Sequence, residues 1–591
     1  MTPDIAIVLV LLLAVMVVFS FDWLSVDIVT LSLIAALVLT GILTPQEAFA
    51  GFANEVLIIL ASVFIISGTL IKTGVMDWLS QLIYRLGHRR ERRVLTYLMS
   101  LAAVMSAFFS NTSTTAVLTP TALELSREAK ISPSRFLMPL AFASVLGGTC
   151  TLIGTSTNMA GSSMVTRLGL EPFSLFEFFG IGLILAFAGI VYMVLLGYRL
   201  IPARQPTQLT EDYSLRKFLT VLVPTDGSPA IDQALGDLKL DQLGLTPLVT
   251  IKNGKRLSAH PLRKVRVDTR IIVKGSPKAL MRAKAEPVFA IEADVHFGDT
   301  DLSRDESAIG EAVLMPQSHL IGKTLKQVNF FHRFGLIVLA VYRQGQAHPA
   351  QIENMRLKVG DVLLLHGLRE NLDRLKGNLD LWGLMHVDGF TPTKRQGVIA
   401  LAALGIAILL GSTTLLPLSI ALLMAVLALA ITRCVTMEDA YTMIEWRLLI
   451  LIAGMTSFGF AMQKTGAADY LAQQIVALTL PLGVYAVLMM FCVATVLLTQ
   501  PLSNAAAALT MLPVAVAAAD SLVVDPRSIA ILVTLSASLS FITPLEPASL
   551  LVYGPGKYRF LDFMRAGLPL TVLMVALLLW LVPVFWPLFL T

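Results

Sequence analysis

The sequence predicts an all-α polytopic membrane protein built from two inverted repeats with re-entrant hairpins and broken helices, interrupted by a cytosolic α+β insert. Three observations carry this. Of the 591 residues, 55% are hydrophobic and only 14% charged, where soluble domains run near about 25% charged. Apolar segments of spanning or near-spanning length occur in two blocks around a charged stretch. The second block repeats the first, Leu43 onward matching Val435 onward without a gap at a constant offset of 392.

In the first block the apolar segments fall at roughly 4–20, 26–43, 55–72, 94–124, 136–168 and 175–198, with 94–124 and 136–168 interrupted by polar residues. Ile5–Phe19 reads as a span and not a secretory signal, because Asp4 stands where a basic n-region belongs and Phe21-Asp22-Trp23 replaces a small-residue cleavage site. From 199 to 395 the chain is charged, with short apolar runs such as Val267–Val273 and Val359–Leu365 that suit strands. Spans resume at 396–411, 414–432, 446–463, 484–518 (interrupted), 526–554 (interrupted) and 566–586. The expected units are therefore a first repeat over 1–198, the insert over 199–395 and a second repeat over 396–591.

The repeat preserves polar positions, which chance similarity between apolar helices does not. It pairs Thr44 with Thr436, Lys72 with Lys464, Thr73 with Thr465 and Gly74 with Gly466 and, one inserted residue later, Ser110-Asn111 with Ser503-Asn504. Such repeats mark secondary transporters, whose sites lie between the repeats on discontinuous helices. Orientation follows from the basic loops. Arg85, His88, Arg89, Arg90, Arg92 and Arg93 precede the segment 94–124, and Arg127, Lys130 and Arg135 follow it, which puts both its ends in the cytoplasm and makes it a re-entrant hairpin. Five crossings plus one hairpin per half is an odd count, so the second half enters upside down. Arg433 and Arg447, and then Lys557, Arg559 and Arg565, mark further cytoplasmic loops. Both termini are expected outside, in an inner (plasma) membrane, with the insert in the cytosol.

Composition removes several function classes. Cys150, Cys434 and Cys492 all lie in apolar stretches, so they build neither a disulfide framework nor a CxxC site. None of the eight histidines lies in an apolar span, which excludes an intramembrane histidine relay or haem ligand. The net charge of +5 sits in particular loops and reads as a topology signal, with no nucleic acid partner. An enzyme needs a nucleophile with a base or a metal cluster, and the spans hold neither. No cofactor is expected.

The chemistry concentrates in the hairpins, Ser106–Pro120 and Leu497–Pro513, each with Ser-Asn at its middle. A tip within the bilayer must have its backbone satisfied by protein or a water-lined cavity. The helix start after Asn111 offers N–H donors and positive dipole to an anion, while hydroxyls, amide oxygens and carbonyls suit a small hard cation such as sodium. One Ser-Asn alone reads better as a helix cap; two copies at equivalent positions reverse that reading. The next segments break too, at Gly147-Gly148 with Gly154-Thr155-Ser156-Thr157-Asn158, and at Thr543–Ser549. A kink satisfied by neighbours explains either break alone and explains the pair poorly.

These residues carry a family resemblance. SNT in the first hairpin, SNA in the second, GTSTN after the first and the ending YGPGKYRFLDFMRAGLPL (Tyr553–Leu570) resemble the divalent anion:sodium symporters, solute carrier family 13, over essentially the whole membrane portion. The bacterial branch with two RCK C-terminal (Trk-type) lobes between the halves is most similar. The resemblance implies a homodimeric elevator transporter for sulfate or a dicarboxylate, coupled to sodium. It implies a first sodium site of Ser110, Asn111, Gly154 and Asn158 and a second around Ser503 and Asn504. Asn111, Thr112 and Asn504 would face the anion, with Thr155 and Ala505 alongside. Two departures stand out: Ala505 replaces the Thr of a second SNT, and Ser549, just after Glu546, stands where many relatives have Asn.

Glu546 lies deep in an apolar segment, where a charge costs at least ~2.5–3.5 kcal/mol on insertion scales. It is expected as a ligand for a cation or proton, with Ser549 beside it; the competing reading is a carboxylate that accepts N–H bonds at a helix start. Lys72 and Lys464, at span ends, read as snorkelling side chains. Within the insert, Val265–Gly275 matches Leu357–Gly367, each followed by an expected helix, Pro277–Lys284 and Arg369–Lys376. Lobes of about 206–290 and 300–385 resemble paired RCK C-terminal lobes, which implies either a small regulatory ligand or dimer bracing. A regulated cation channel or cation transporter is the rival class; a TVGYG-type filter is absent. No arginine lies in either hairpin, so helix starts, hydroxyls and cations are left to hold the anion.

Overall fold

The structure, a computed structural model, describes residues 2–21, 24–73, 75, 91–128, 131–203, 219–225, 228–238, 240, 245–252, 255–258, 262–275, 288–292, 307–314, 318–343, 346–348, 352–373, 375, 381–383, 394–413 and 415–589. Arg85, His88, Arg89, Arg90, Lys130 and the expected helix Pro277–Lys284 lie outside these. The first half contains α1 (Pro3–Phe21), α2 (Val26–Leu39), α3 (Pro45–Phe49), α4 (Glu55–Lys72), α5 (Glu91–Ser106), α6 (Asn111–Glu128), α7 (Ser134–Gly148), α8 (Ser156–Arg167) and α9 (Phe179–Tyr192). The second contains α10 (Lys394–Ser412), α11 (Leu418–Ile431), α12 (Met437–Met443), α13 (Trp446–Thr465), α14 (Ala467–Thr479), α15 (Val484–Leu498), α16 (Asn504–Leu522), α17 (Pro526–Ala537), α18 (Pro547–Tyr553) and α19 (Phe560–Phe585). Among the described residues, six helical stretches are long and apolar enough to cross a membrane. The polar interruptions break the helices where expected, α6 and α16 starting at the two tip asparagines.

Local sequence sets the matching starts. Thr44 caps α3 in a reciprocal box with Glu47, and Thr436 caps α12 in the same box with Asp439. Between the halves, contacts are exchanged. Helices α1 and α2 pack on α13 while α10 and α11 pack on α4; α8 packs on α16 and α17 while α18 packs on α6 and α7. Each half thus packs elements of the other in a reciprocal pattern.

The two lysines follow the same exchange, which adds a partner to each of these span-end side chains. Lys72 Nζ donates to Asp439 at 2.6 Å and Lys464 Nζ to Glu47 at 2.7 Å, and Glu47 and Asp439 are themselves 392 apart. Lys72, then the Thr436 hydroxyl, hold the Asp439 carboxyl below the usual carboxylate range. Exposed pairs of this kind add little stability. What they fix is the register of one half against the other.

The insert forms two five-stranded sheets. Strands β1 (Leu219–Pro224), β2 (Leu245–Lys252), β3 (Lys255–Ser258), β4 (Arg270–Gly275) and β5 (Phe289–Glu292) run in the order β3-β2-β4-β1-β5. Then β6 (Ser307–Leu314), β7 (Leu336–Arg343), β8 (Gln346–His348), β9 (Val362–Leu368) and β10 (Leu381–Gly383) run β10-β6-β9-β7-β8, the same order read from the other edge. Of the expected helix Arg369–Lys376, Arg369–Asp373 is helical. Strand alternation divides the side chains: Leu222, Ile271 and Val273 enter the first lobe's own core, while Val221 and Ile272 meet Leu339 and Leu364 of the second. The second lobe also touches the membrane portion. Arg343 binds Asp361 through two nitrogens at 2.7 and 2.6 Å, fixing a turn that brings Gly360 against Leu550 of α18. Gly360 has φ +77°, and a Cβ there would sit 2.8 Å from Leu550 Cγ, so this contact requires glycine.

The Tyr553–Leu570 ending has a structural anchor. Tyr558 is fully buried, and its hydroxyl accepts from Met138 N at 2.7 Å while donating to the Ser134 carbonyl, inserting into the first turn of α7. Tyr558→Phe strips this bridge and is expected to destabilise the protein by roughly 1–3 kcal/mol, the cost of an unsatisfied buried polar group. Thermal unfolding in detergent reads this as a lowered midpoint. An unchanged midpoint means that the α7 ladder closes by itself.

Candidate functional site

The two tips meet at one cavity of about 370 Å³, bounded by α4 and α13 on one side and by the broken helices on the other. The starts of α6, α8 and α16 open onto it. Each presents unpaired backbone N–H groups and the positive end of a dipole, which suits an anion. The start of α18 reaches the cavity too, but Glu546 fills that position: its carboxylate accepts from Ser549 N at 3.1 Å.

The tips are held alike. Ser106 Oγ donates to Asn111 Oδ1 at 2.9 Å, and Thr499 Oγ1, the residue equivalent to Ser106, donates to Asn504 Oδ1 at 2.7 Å. Ser110 Oγ accepts from Ser113 N at 3.2 Å and Ser503 Oγ from Ala506 N at 3.3 Å. Thr155 caps α8 by accepting from Thr157 N at 3.3 Å. Asn111 of the first tip and Glu546 at the break of the other half line the same cavity. Gly148 makes room for this tip, since a Cβ there would lie 2.2 Å from Asn111 Oδ1. Around Gly154 the carbonyls of Ser106, Ala107 and Gly148 converge, all within 2.9 Å of where a Cβ would be.

The cavity is lined by Ser110, Asn111, Thr112, Gly154, Thr155, Ser503, Asn504, Ala505 and Glu546, all of them singled out from sequence. Asn158 and Ser549 lie behind its wall, both fully buried. Asn158 Nδ2 donates to Thr151 O at 2.9 Å, leaving Asn158 Oδ1 without a partner; Ser549 Oγ has none either. These residues occupy equivalent places, each two beyond the first residue of α8 or α18. Buried oxygens without partners are rare in folded proteins. Two at matching positions behind the two tips form oxygen-lined places suited to a hard cation.

Sequence reasoning missed the opposite wall: Val26, Leu60, Val63, Phe64, Ser67, Glu445, Arg447, Leu448 and Leu451. A second cavity, of about 560 Å³, is lined by Leu418, Ala53, Glu55, Val56 and Ile59 among others. Adding 392 to Val26 gives Leu418, and adding 392 to Ala53, Glu55, Val56 and Ile59 gives Glu445, Arg447, Leu448 and Leu451. The two cavities thus share equivalent rims in the two halves. The constant offset was the signal that could have found them.

Comparison with known proteins gives the family. The family described as citrate transporter matches residues 16–536. An uncharacterized transporter of Synechocystis is 32% identical over 97% of this chain and 95% of its own length. An uncharacterized transporter of Escherichia coli is 30% identical over 99% of this chain and all of its own length. A sodium/sulfate cotransporter of Chlamydomonas reinhardtii is 27% identical over 59% of this chain and 42% of its own.

Proposed function

The chain belongs to the citrate transporter family, and on that premise we propose that this membrane transporter, which is not an enzyme, couples sodium to uptake of a small divalent anion, sulfate or a dicarboxylate. The observation that carries the reading is the convergence of the two Ser-Asn tips on one cavity, with the orphan oxygens of Asn158 and Ser549 behind them. We place the protein with the divalent anion:sodium symporters and read the insert as two RCK C-terminal-type lobes. The anion rests against Asn111, Thr112, Thr155, Asn504 and Ala505. One sodium takes Ser110, Asn111, Gly154 and Asn158; a second takes Ser503, Asn504, Ser549 and Glu546. The relatives named sodium/sulfate cotransporters favour this ion and include sulfate in the substrate class.

The matching cavity rims support alternating access by an elevator motion, in which the tips and broken helices pass α4 and α13 from one rim to the other. The exchanged packing supports an inverted second half, whose pseudo-two-fold lies in the membrane plane. Contact between Gly360 and Leu550 supports regulation through the insert, because it joins the second lobe to the half-helix that Glu546 caps. We assign an inner-membrane homodimer with cytosolic lobes and both termini outside.

Proteoliposomes loaded without sodium test this. Labelled sulfate, succinate or citrate should accumulate on an inward sodium gradient, saturably, and potassium should not replace sodium. Accumulation of none of them, or equal uptake without the gradient, refutes the reading.

A further inference from the structure

The cavity has a charge problem that the tips alone do not solve. Among the described residues lining it, the charged side chains are Glu445, Arg447 and Glu546, two carboxylates against one guanidinium. A dianion entering such a space is repelled unless positive charge meets it. Arg447, in the first turn of α13, is exposed, and its side chain makes no hydrogen bond or ion pair among the described residues. Structural arginines at helix starts are unfavourably placed against the dipole unless something pairs with them.

The repeat shows what lies within its reach. The equivalent of Arg447 is Glu55, whose carboxylate accepts a hydrogen bond from Ser419. The equivalent of Ser419 is Asp27 (27 plus 392), in the first turn of α2, which packs on α13. Oδ1 of Asp27 is buried without a partner. The same two helix turns that join Glu55 to Ser419 carry Arg447 and Asp27 in the other half, yet here the two are not bonded and Arg447 lines the cavity.

We propose that Arg447 is a substrate-binding residue that pairs with one negative group of the anion, and that Asp27 competes for it. This deepens the anion reading above and rests on it. A guanidinium presents paired donors that match two oxygens of a carboxylate or sulfate, so Arg447 selects planar or tetrahedral oxyanions over halides of equal charge density. At the matching rim Glu55 offers no such group. Arg167, which lines the second cavity, is already bonded to the Glu47 carbonyl and stacked on the Phe460 ring, so the uncommitted guanidinium is the one at the rim formed by α2 and α13.

Titration calorimetry on the purified full-length protein in saturating sodium, with sulfate, with succinate and with citrate, tests this. Wild type should bind one of them. Arg447→Ala should weaken that binding at least about 10-fold, the equivalent of roughly 1.4 kcal/mol, with Arg447→Lys recovering part of the loss. The thermal midpoint without anion should stay close to that of wild type in both variants, since a pair with Asp27 that is not closed in the structure and involves an exposed arginine adds little stability. Asp27→Asn should tighten binding in wild type and have no effect in the Arg447→Ala background. Binding by Arg447→Ala within twofold of wild type overturns the inference while leaving the transport reading standing; equal effects of Asp27→Asn in both backgrounds overturn the competition. Absence of binding by wild type overturns the transport reading and this inference with it.

Discussion

Replacing either tip asparagine with alanine should abolish uptake. Asn111 and Asn504 each place a side-chain amide at a helix start on the cavity, with the oxygen fixed by Ser106 or Thr499. Alanine removes the group proposed above to meet both cation and anion and frees the fixing hydroxyl to turn into the space. A hydrogen bond to a charged group contributes roughly 1.5–3 kcal/mol, so losing one such bond to the sodium-bound anion slows uptake about 10- to 100-fold, and losing contacts to both ions takes it below detection. Folding should survive. Asn111 is buried, with 8% of its surface exposed, so Asn111→Ala also leaves Ser106 Oγ unpaired in a buried place, at about 1–3 kcal/mol. Asn504 is less buried, and its Nδ2 donates to Ser540 Oγ at 3.1 Å, so a smaller loss follows there. Sodium-driven uptake into proteoliposomes, normalised to inserted protein, checks both variants. Wild-type uptake by either one takes that tip out of the site.

What the sequence made legible is what a one-dimensional pattern records. Apolar length marks spans, polar interruption marks breaks, and a conserved offset marks equivalent positions, so Asn111 and Asn504 were found before any contact was known. Neighbours across the halves are not recorded that way. Lys72 read as a lone cation at a span end because Asp439 lies in another repeat, and only packing of α4 beside α12 brings the two together. Arg447 read as a topology marker for the same reason: its position along the chain describes a loop, while its place beside α2 and the broken helices makes it a wall of the cavity. Nor did the pattern assign Ser549 a geometry. Its hydroxyl is buried and unpartnered at the place equivalent to Asn158, whose Oδ1 is likewise unpartnered. The insert was legible as a repeat through Val265–Gly275 and Leu357–Gly367, which become β4 and β9 at the centre of each sheet. Its contact with α18 through Gly360 was not, because a turn glycine has the same sequence signature whether or not a helix lies against it.

Glu546→Gln should raise the sodium concentration for half-maximal uptake about 10-fold or more. Three roles compete for this carboxylate, and one of them is visible: it caps α18 through Ser549 N. Capping does not use the whole group, since Ser549 N engages one carboxylate oxygen, and Ser549 Oγ beside it is unsatisfied. A carboxylate oxygen, the Ser549 hydroxyl and the second tip are hard oxygen donors of the kind a sodium ion takes. Glutamine keeps an oxygen acceptor for the cap, so α18 should form and the protein should insert normally. It removes the negative charge, and with it most of the attraction for a cation in a low-dielectric site. If Glu546 instead carries a proton, the glutamine variant mimics its neutral form permanently: sodium dependence then stays that of wild type, and the dependence of uptake on pH disappears. Measuring sodium titrations at several pH values separates the two, because the first outcome shifts the sodium curve at every pH while the second flattens the pH profile at saturating sodium. Wild-type behaviour in both measurements leaves Glu546 as a helix cap alone, and the second cation site then reduces to Ser503, Asn504 and Ser549.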